Sequence, residues 1–393
     1  MPFDLDRARR DTPGCERVLH FNNAGASLMP SPVLTALQNH LSLEAEIGGY
    51  EAHASERNRY EATYHAIARL LNCQSSEVAL VENATRAWDM AFYGLRFKPG
   101  DKVLTHRASY VSNYLAMLHV SRRTGIKIDV VPSDDFGQLD VDELERRIDD
   151  RVKLIALTQV PTNGGLVNPA IEVGDVAKAN GIPYLLDACQ SAGQLPLDVE
   201  AIGCDFLSAT GRKYLRGPRG TGFLYVRTAS LSLLEPPFID LHAATWTSRN
   251  EYSLKPDAAR FESWEGYVAG KIALGVAVDY ALKWGVETTW PRLQRLAADL
   301  RSGLSEMPGI AVHDAGRVKG AIVTFSHERV SAGDLKTRLA EQDINVSISP
   351  NEYARIDSEE RGLPEIIRAS VHYYNSDEEI DRFCGAVRSI LGG

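Results

Sequence analysis

The amino-acid sequence predicts an α/β protein, with a mostly parallel sheet in a large domain and a smaller α+β domain after it. Three observations carry that reading. Between about residues 60 and 230, short apolar runs alternate with longer amphipathic stretches, the pattern of βαβ units around a buried sheet. Near residues 230–265 the composition shifts, with Pro236-Pro237 followed by polar and aromatic residues. The remainder, 290–393, reads as helix, strands and helix.

The chain has 393 residues, long enough for two cores. The expected organisation is an N-terminal segment over 1–30 packing near the small domain, a large domain over 31–260 and a small domain over 261–393. Within the large domain, Lys102-Val103-Leu104, Ile128-Asp129-Val130-Val131, Leu154-Ile155-Ala156-Leu157 and Pro183-Tyr184-Leu185-Leu186 read as strands. Residues 141–148 read as an exposed helix. A helix is expected to start near Glu82-Asn83-Ala84-Thr85 and to run through Phe92 and Leu95. Another is expected from Ala269 to Trp284, with Leu274, Val278 and Leu282 on one face.

Composition narrows the function. Charged residues make up 24% and the net charge is −9, which disfavours binding to nucleic acid or an anionic membrane. No apolar run reaches the roughly 18 residues of a membrane span. The start, Met1-Pro2-Phe3-Asp4-Leu5-Asp6, has no basic region leading into an apolar one, so no signal peptide is expected. Five cysteines, at 15, 73, 189, 204 and 384, form no CxxC pair. They read as reduced thiols of a cytoplasmic protein, with no disulfide framework and no metal site.

The chemistry centres on Lys213. It follows Phe206-Leu207-Ser208-Ala209-Thr210-Gly211-Arg212 and precedes Gly217-Pro218-Arg219-Gly220-Thr221-Gly222. Upstream, Tyr184-Leu185-Leu186 ends in Asp187, with Gln190 close behind. An acid at the end of one buried strand and a lysine beyond the next suit pyridoxal phosphate (PLP). The amine condenses with its aldehyde, and the carboxylate keeps the ring nitrogen protonated. A free lysine has a pKa of about 10.4, and burial beside Arg212 would lower it. The glycine-rich stretch after Lys213 argues against a surface lysine.

Supporting positions are each ambiguous alone. A helix beginning at Ala84 and Thr85 offers free N–H groups to a phosphate, with Thr210 placed to reach the same group, yet Asn83 could be a plain N-cap. Asp187 could cap the next helix, and Gln190 could reach the cofactor's phenolic oxygen or only water. Tyr110 could stack on the ring or fill a core. Arg368, in Ile366-Ile367-Arg368-Ala369-Ser370, could hold a substrate carboxylate or form an internal ion pair.

Together these stretches resemble the class V aminotransferase family of fold-type I PLP enzymes, over nearly the whole chain. Phe21-Asn22-Asn23-Ala24-Gly25 is similar to the family's D-N-A-A segment. Thr210-Gly211-Arg212-Lys213 is similar to S-G-H-K, Asp187 and Gln190 to D-x-x-Q, and Arg368-Ala369-Ser370 to R-x-S. The resemblance implies a PLP-dependent transferase fold and PLP contacts from Ala84, Thr85, Tyr110, Asn163, Asp187, Gln190, Thr210 and Lys213. It also implies substrate contacts from Asn23 and Arg368. A homodimer with interfacial active sites follows, with residues 260–265, including Trp264, lent to the other subunit's phosphate site.

Departures from the family pattern point to the reaction. A cysteine desulfurase needs a thiolate shortly before the R-x-S arginine, and residues 346–363 hold no cysteine. Cys189 reads as a small core residue. Arg212 stands where the family has His, Trp264-Glu265 where it has G-T-P, and Tyr110 at its stacking His. Glu44–Tyr50 and Gly217-Pro218-Arg219-Gly220 are similar to hercynylcysteine sulfoxide lyases. The expected activity is therefore C–S β-elimination on a cysteine-derived amino acid, with a sulfoxide or an S-conjugate as the candidate substrate. An aminotransferase, a desulfurase-like enzyme and a PLP-binding homologue without turnover stay open. No arginine besides Arg368 can be assigned to the substrate pocket, and His53, Tyr50, Trp246 and Tyr353 are expected to line its side-chain end.

Overall fold

The computed structural model describes residues 3–392. Its centre is a seven-stranded sheet. The strands are β1 (Val78–Val81), β2 (Lys102–His106), β3 (Lys127–Val131), β4 (Val152–Thr158), β5 (Tyr184–Asp187), β6 (Phe206–Thr210) and β7 (Gly222–Val226). Their order is β1-β7-β6-β5-β4-β2-β3. Only β7 runs against its neighbours. The other contacts are parallel, as the alternating pattern predicts.

Burial explains the composition of these strands. Every residue of β5, β6 and β7 is buried, because helices cover both faces of a parallel sheet. Alternate side chains serve two cores. Leu80, Leu157, Leu186, Leu207 and Phe223 face one. Val81, Ala156, Leu185, Phe206 and Leu224 face the other, where they meet Trp88 and Met117 from the helices Ala84–Gly94 and Val111–Thr124. The first core takes in Ile67, Val173 and Leu274 from the helices Arg57–Leu71, Ala170–Ala179 and Val268–Trp284.

A second, antiparallel sheet follows, ordered Ile310–Val312, Ile322–His327, Ile366–Ser370, Ser347–Ser349. The helices Val286–Ser305, Ala332–Ala340 and Asp377–Gly392 pack with it. The N-terminal segment runs alongside: Leu19–His20 pairs with Ile344–Asn345, and Asn22 bridges Ser370. The helix Val268–Trp284 packs on Ser31–Ile47 and Arg57–Leu71. It then turns at Gly285, whose φ of 77° is left-handed, into Val286–Ser305.

Two local readings change. The helix expected over 141–148 spans Val141–Arg146 and buries Leu144, so it packs on one side. The 230–265 excursion contains a hairpin, Ala244–Ser248 with Glu251–Leu254, whose residues are mostly exposed. Among the described residues, no helix is long and apolar enough to cross a membrane. No group of three or more His, Cys, Asp or Glu among them could hold a metal.

The turn after β5 is tightly constrained. Gly193 has φ 83°, and a Cβ there would stand 2.6 Å from the Tyr214 carbonyl carbon. Left-handed backbone and overpacking each cost an alanine about 1–3 kcal/mol. Gly193→Ala should therefore lower the thermal unfolding midpoint by several degrees and displace the residue after Lys213. An unchanged midpoint would show that this contact can relax.

Candidate active site

Strand order reverses between β2 and β4, which opens a crevice at the carboxyl ends of the parallel strands. His106, Thr158, Asp187 and Thr210 end their strands there. In register, Asp187 lies beside Thr158 on one neighbour and Ser208 on the other.

Asp187 is buried and holds three donors. Its Oδ1 accepts the Cys189 N–H at 2.9 Å, and its Oδ2 accepts Asn113 Nδ2 at 2.7 Å and Thr158 Oγ1 at 3.3 Å. Burial pushes its carboxyl above the ordinary range, while the Cys189 N–H and the Lys213 charge pull it back. Lys213, also buried, is pushed below the ordinary lysine range. Loss of hydration is the main cause, Cys189 opposes it, and the Arg212 and Arg368 charges reinforce it.

Both groups line a cavity of about 420 Å³, the size of a small-molecule site. Ala84, Thr85, Tyr110, Gln190 and Thr210 line it too. At one end the helix Ala84–Gly94 begins. Asn83 Oδ1 accepts the Arg86 N–H at 2.9 Å, so Asn83 is an N-cap, and the N–H groups of Ala84 and Thr85 precede the first intrahelical bonds. Such a terminus attracts a phosphate. The Thr210 hydroxyl donates to the Thr221 carbonyl at 3.2 Å, so it offers a ligand its lone pairs. Gln190 Nε2 donates to the Ala24 carbonyl, while its Oε1 is buried without a partner. Both polar atoms of the Asn163 side chain are likewise buried and unpartnered. An acid for a ring nitrogen, an amine for an aldehyde, a helix terminus for a phosphate and an orphaned Gln190 oxygen together fit PLP.

Arg368 belongs to the small sheet and is buried. Its Nη1 donates to Thr162 Oγ1 at 2.7 Å and its Nε to Ser347 Oγ at 3.1 Å. Thr162 lines the cavity. All of these partners are neutral, so the internal ion pair left open by the sequence does not form among the described residues.

Other expected residues lie elsewhere. Asn163 is buried outside the cavity lining, and its carbonyl accepts Thr324 Oγ1. Asn23 is fully buried, with Nδ2 bonded to the Ser370 carbonyl at 2.8 Å and Oδ1 accepting the Tyr374 hydroxyl at 2.5 Å. Both ends of its amide are thus occupied. Trp264 is half exposed and off the cavity; its backbone N–H donates to Asp240 Oδ2. Its neighbours Ser263, Glu265 and Gly266 border a small cleft that shares Glu82 and Gly220 with the cavity. His53, Tyr50, Trp246 and Tyr353 do not line the cavity of this chain.

Sequence reasoning passed over several participants. Asn113 lies one turn into the helix after Tyr110, and its only sequence signal is that spacing. Thr158 ends a recognised strand run, so its register beside Asp187 could have been anticipated. Cys189 is not a core residue: it lines the cavity, because the turn that caps Asp187 points it there. Arg212 and Arg219 also line it, two arginines that the sequence alone could not assign to the pocket.

Fold and site together define an α/β enzyme with a lysine–aspartate cavity at the strand ends. The Aminotransferase class-V family matches residues 19–383, and the chain belongs to that family. A probable cysteine desulfurase of Xylella fastidiosa (strain 9a5c) is 32% identical over 409 residues, covering 99% of this chain and 97% of the relative. The apo structure of the cysteine desulfurase from Thermococcus onnurineus NA1 superposes with a TM-score of 0.92 at 27% identity, covering 100% of this chain and 99% of that one. The cystine C–S lyase C-DES, solved with its product cysteine persulfide, shares the fold with a TM-score of 0.87 at 22% identity, over 96% of this chain and 99% of its own.

Burial of Lys213 makes a prediction for the cofactor-free protein. Its pKa lies below the ordinary 10.5, so its reactive, neutral form should dominate at lower pH than in surface lysines. Amine-selective acetylation followed by peptide mass analysis should give Lys213 a midpoint below that of the surface lysines. A midpoint at or above 10.5 would contradict the electrostatics described.

Proposed function

We propose that this protein is a PLP-dependent C–S lyase that carries out β-elimination on a cysteine-derived amino acid, an S-oxide or S-conjugate. The observation that carries this reading is one cavity lined by both the buried Lys213 amine and the buried Asp187 carboxylate, with Arg368 anchored at its edge. Asp187 would face the ring nitrogen, Gln190 the ring oxygen, Tyr110 the ring face, and the helix terminus with Thr85 the phosphate. When bound, PLP supplies the electron sink for negative charge at Cα.

The chain's own residues do the rest. Arg368 holds the substrate α-carboxylate with its planar fork. Lys213 Nζ takes the Cα proton, a task that suits an amine shifted toward neutrality. Asp187, kept in place by Asn113, Thr158 and the Cys189 N–H, holds positive charge at the far end of the site. The C–S bond then breaks with its electron pair going to sulfur, and the three-carbon remainder hydrolyses to pyruvate and ammonia.

Desulfurase chemistry is the second reading, favoured by the names of the relatives. Against it, the segment 346–363 folds into the short helices Asn351–Ala354 and Arg355–Glu360 without a thiol. A homodimer is part of the proposal. Trp246 is 79% exposed, Tyr50 73% and Leu241 69%, and a second copy of the chain is the proposed cover for these side chains. Five free thiols fit a reducing cytoplasm.

Product analysis tests the reading. With a cysteine S-conjugate or a cysteine sulfoxide and no keto acid, the enzyme should release pyruvate. Alanine from cysteine would make it a desulfurase instead, and amino transfer to an added keto acid an aminotransferase. Lys213→Ala should abolish turnover. Arg368→Ala should raise KM for amino acids by about 10–100-fold, the value of a charge-assisted hydrogen-bonded pair. An unchanged KM would leave Arg368 a structural residue.

A further inference from the structure

Arg212 immediately precedes the buried lysine and lines the cavity. Its guanidinium donates to the Gly25 carbonyl, and its own carbonyl accepts the Ser27 N–H at 3.0 Å. The N-terminal segment therefore holds Arg212 from two sides. That same segment bridges to Ser370, two residues beyond Arg368, through Asn22. Arg212 and Arg368 are thus brought to one end of the site. Burial first, and then the Arg212 charge, bring the Arg368 pKa down, as expected of neighbouring cations.

Neither guanidinium has a carboxylate within ion-pair distance among the described residues; their hydrogen-bond partners are neutral oxygens. The cavity's two acids are engaged elsewhere. Asp187 faces its three donors, and Glu82 lies 3.8 Å from Arg86 at the helix terminus. A guanidinium has five N–H donors, and the protein uses one of those on Arg212. Two such groups near one another, Arg368 buried and Arg212 partly so, repel each other until anions enter, and a single α-carboxylate neutralises only one.

We infer that Arg212 is a second anion site, and that the substrate carries a second negative group on its β-side, a carboxylate or a sulfur oxidised to the sulfinate level. The inference rests on Arg368 holding the α-carboxylate. It narrows the substrate to amino acids with two acidic groups and makes Arg212 a specificity-determining residue.

Calorimetric binding to the PLP-loaded enzyme tests this with three ligands: alanine, aspartate and cysteine sulfinate. The wild type should bind at least one of the two diacids about tenfold more tightly than alanine, the scale of one charge-assisted contact. Preference for cysteine sulfinate alone identifies oxidised sulfur; preference for aspartate as well identifies a general acid site. Arg212→Gln should bring the ratio close to one with alanine little changed, and Arg212→Lys should restore part of it. No diacid preference in the wild type overturns the inference. So does equal weakening of all three ligands by Arg212→Gln, which would make Arg212 only a clamp on Gly25. Weaker PLP binding with unchanged ligand ratios would place Arg212 at the phosphate and also overturn it. Arg368→Gln should weaken all three ligands alike. If it leaves alanine binding intact, the Arg368 reading fails, while the Arg212 ratio still stands or falls separately.

Discussion

The structure depends on taking an acid and an amine out of water at the ends of two adjacent parallel strands. An isolated buried charge is costly, and a buried group shifts toward its neutral form unless it is paired. Asp187 rises and Lys213 falls, so both shifts run in that direction. Three donors limit the shift of Asp187, and they come from β4, the helix after Tyr110 and the turn after β5. Asn168 secures this arrangement from behind: its Nδ2 donates to the Thr158 carbonyl at 2.8 Å, and its Oδ1 accepts the Leu139 N–H at 2.9 Å. The continuous apolar burial of β5 and β6 keeps the two charged ends in register.

Side chains that span the two sheets complete the site. Gln194 is one: its Nε2 donates to the Gln190 carbonyl and its Oε1 accepts the Ala321 N–H, both at 2.7 Å. It thereby ties the turn carrying Gln190 to the small sheet. Arg216, three residues after Lys213, is another. It is buried with a left-handed φ of 62°, a conformation a non-glycine residue keeps only when its surroundings hold it. Its guanidinium donates to the Leu28 carbonyl, the Tyr373 hydroxyl and the Thr12 hydroxyl. It also lies 4.5 Å from the Tyr374 ring centroid. Neutral oxygens and ring faces thus replace a carboxylate as its partners. The strand end bearing Lys213 is fastened in this way to the N-terminal segment that also holds Arg212.

Most of the large sheet was legible because its central strands are buried on both faces and so read as nearly unbroken apolar runs. Four of the expected runs became β2, β3, β4 and β5 with ends shifted by one or two residues. Lys213, Asp187 and the helix at Ala84 were legible because their chemistry sits at strand and helix ends, where local pattern is strongest. What escaped depends on long-range placement. Asn113 reaches Asp187 across 74 positions of sequence, and Thr162 meets Arg368 across 206. Asn23 shows the opposite case. Its motif drew attention to it, but its amide is spent on Ser370 and Tyr374, partners that no local window contains.

The segment over 351–360 bears on where the sulfur goes. Asp357 sits between Arg107, at 2.9 Å, and Arg361, at 3.1 Å, with its side chain only 10% exposed. Arg107 adjoins the end of β2, and Arg361 also donates to the His313 carbonyl. One carboxylate shared by two guanidiniums is an expensive desolvation, and its return is a single geometry more than net stability. Removing Asp357 alone would leave two cations together, so the three groups hold as a unit. The segment is thereby clamped between the two sheets, and it carries no thiol. A segment held in this way, none of whose residues lines the cavity, offers no group to receive sulfur. Under the proposed lyase reading, the sulfur fragment must therefore leave as a small molecule, and selectivity for that fragment falls to the side chains already facing it, Arg212 among them.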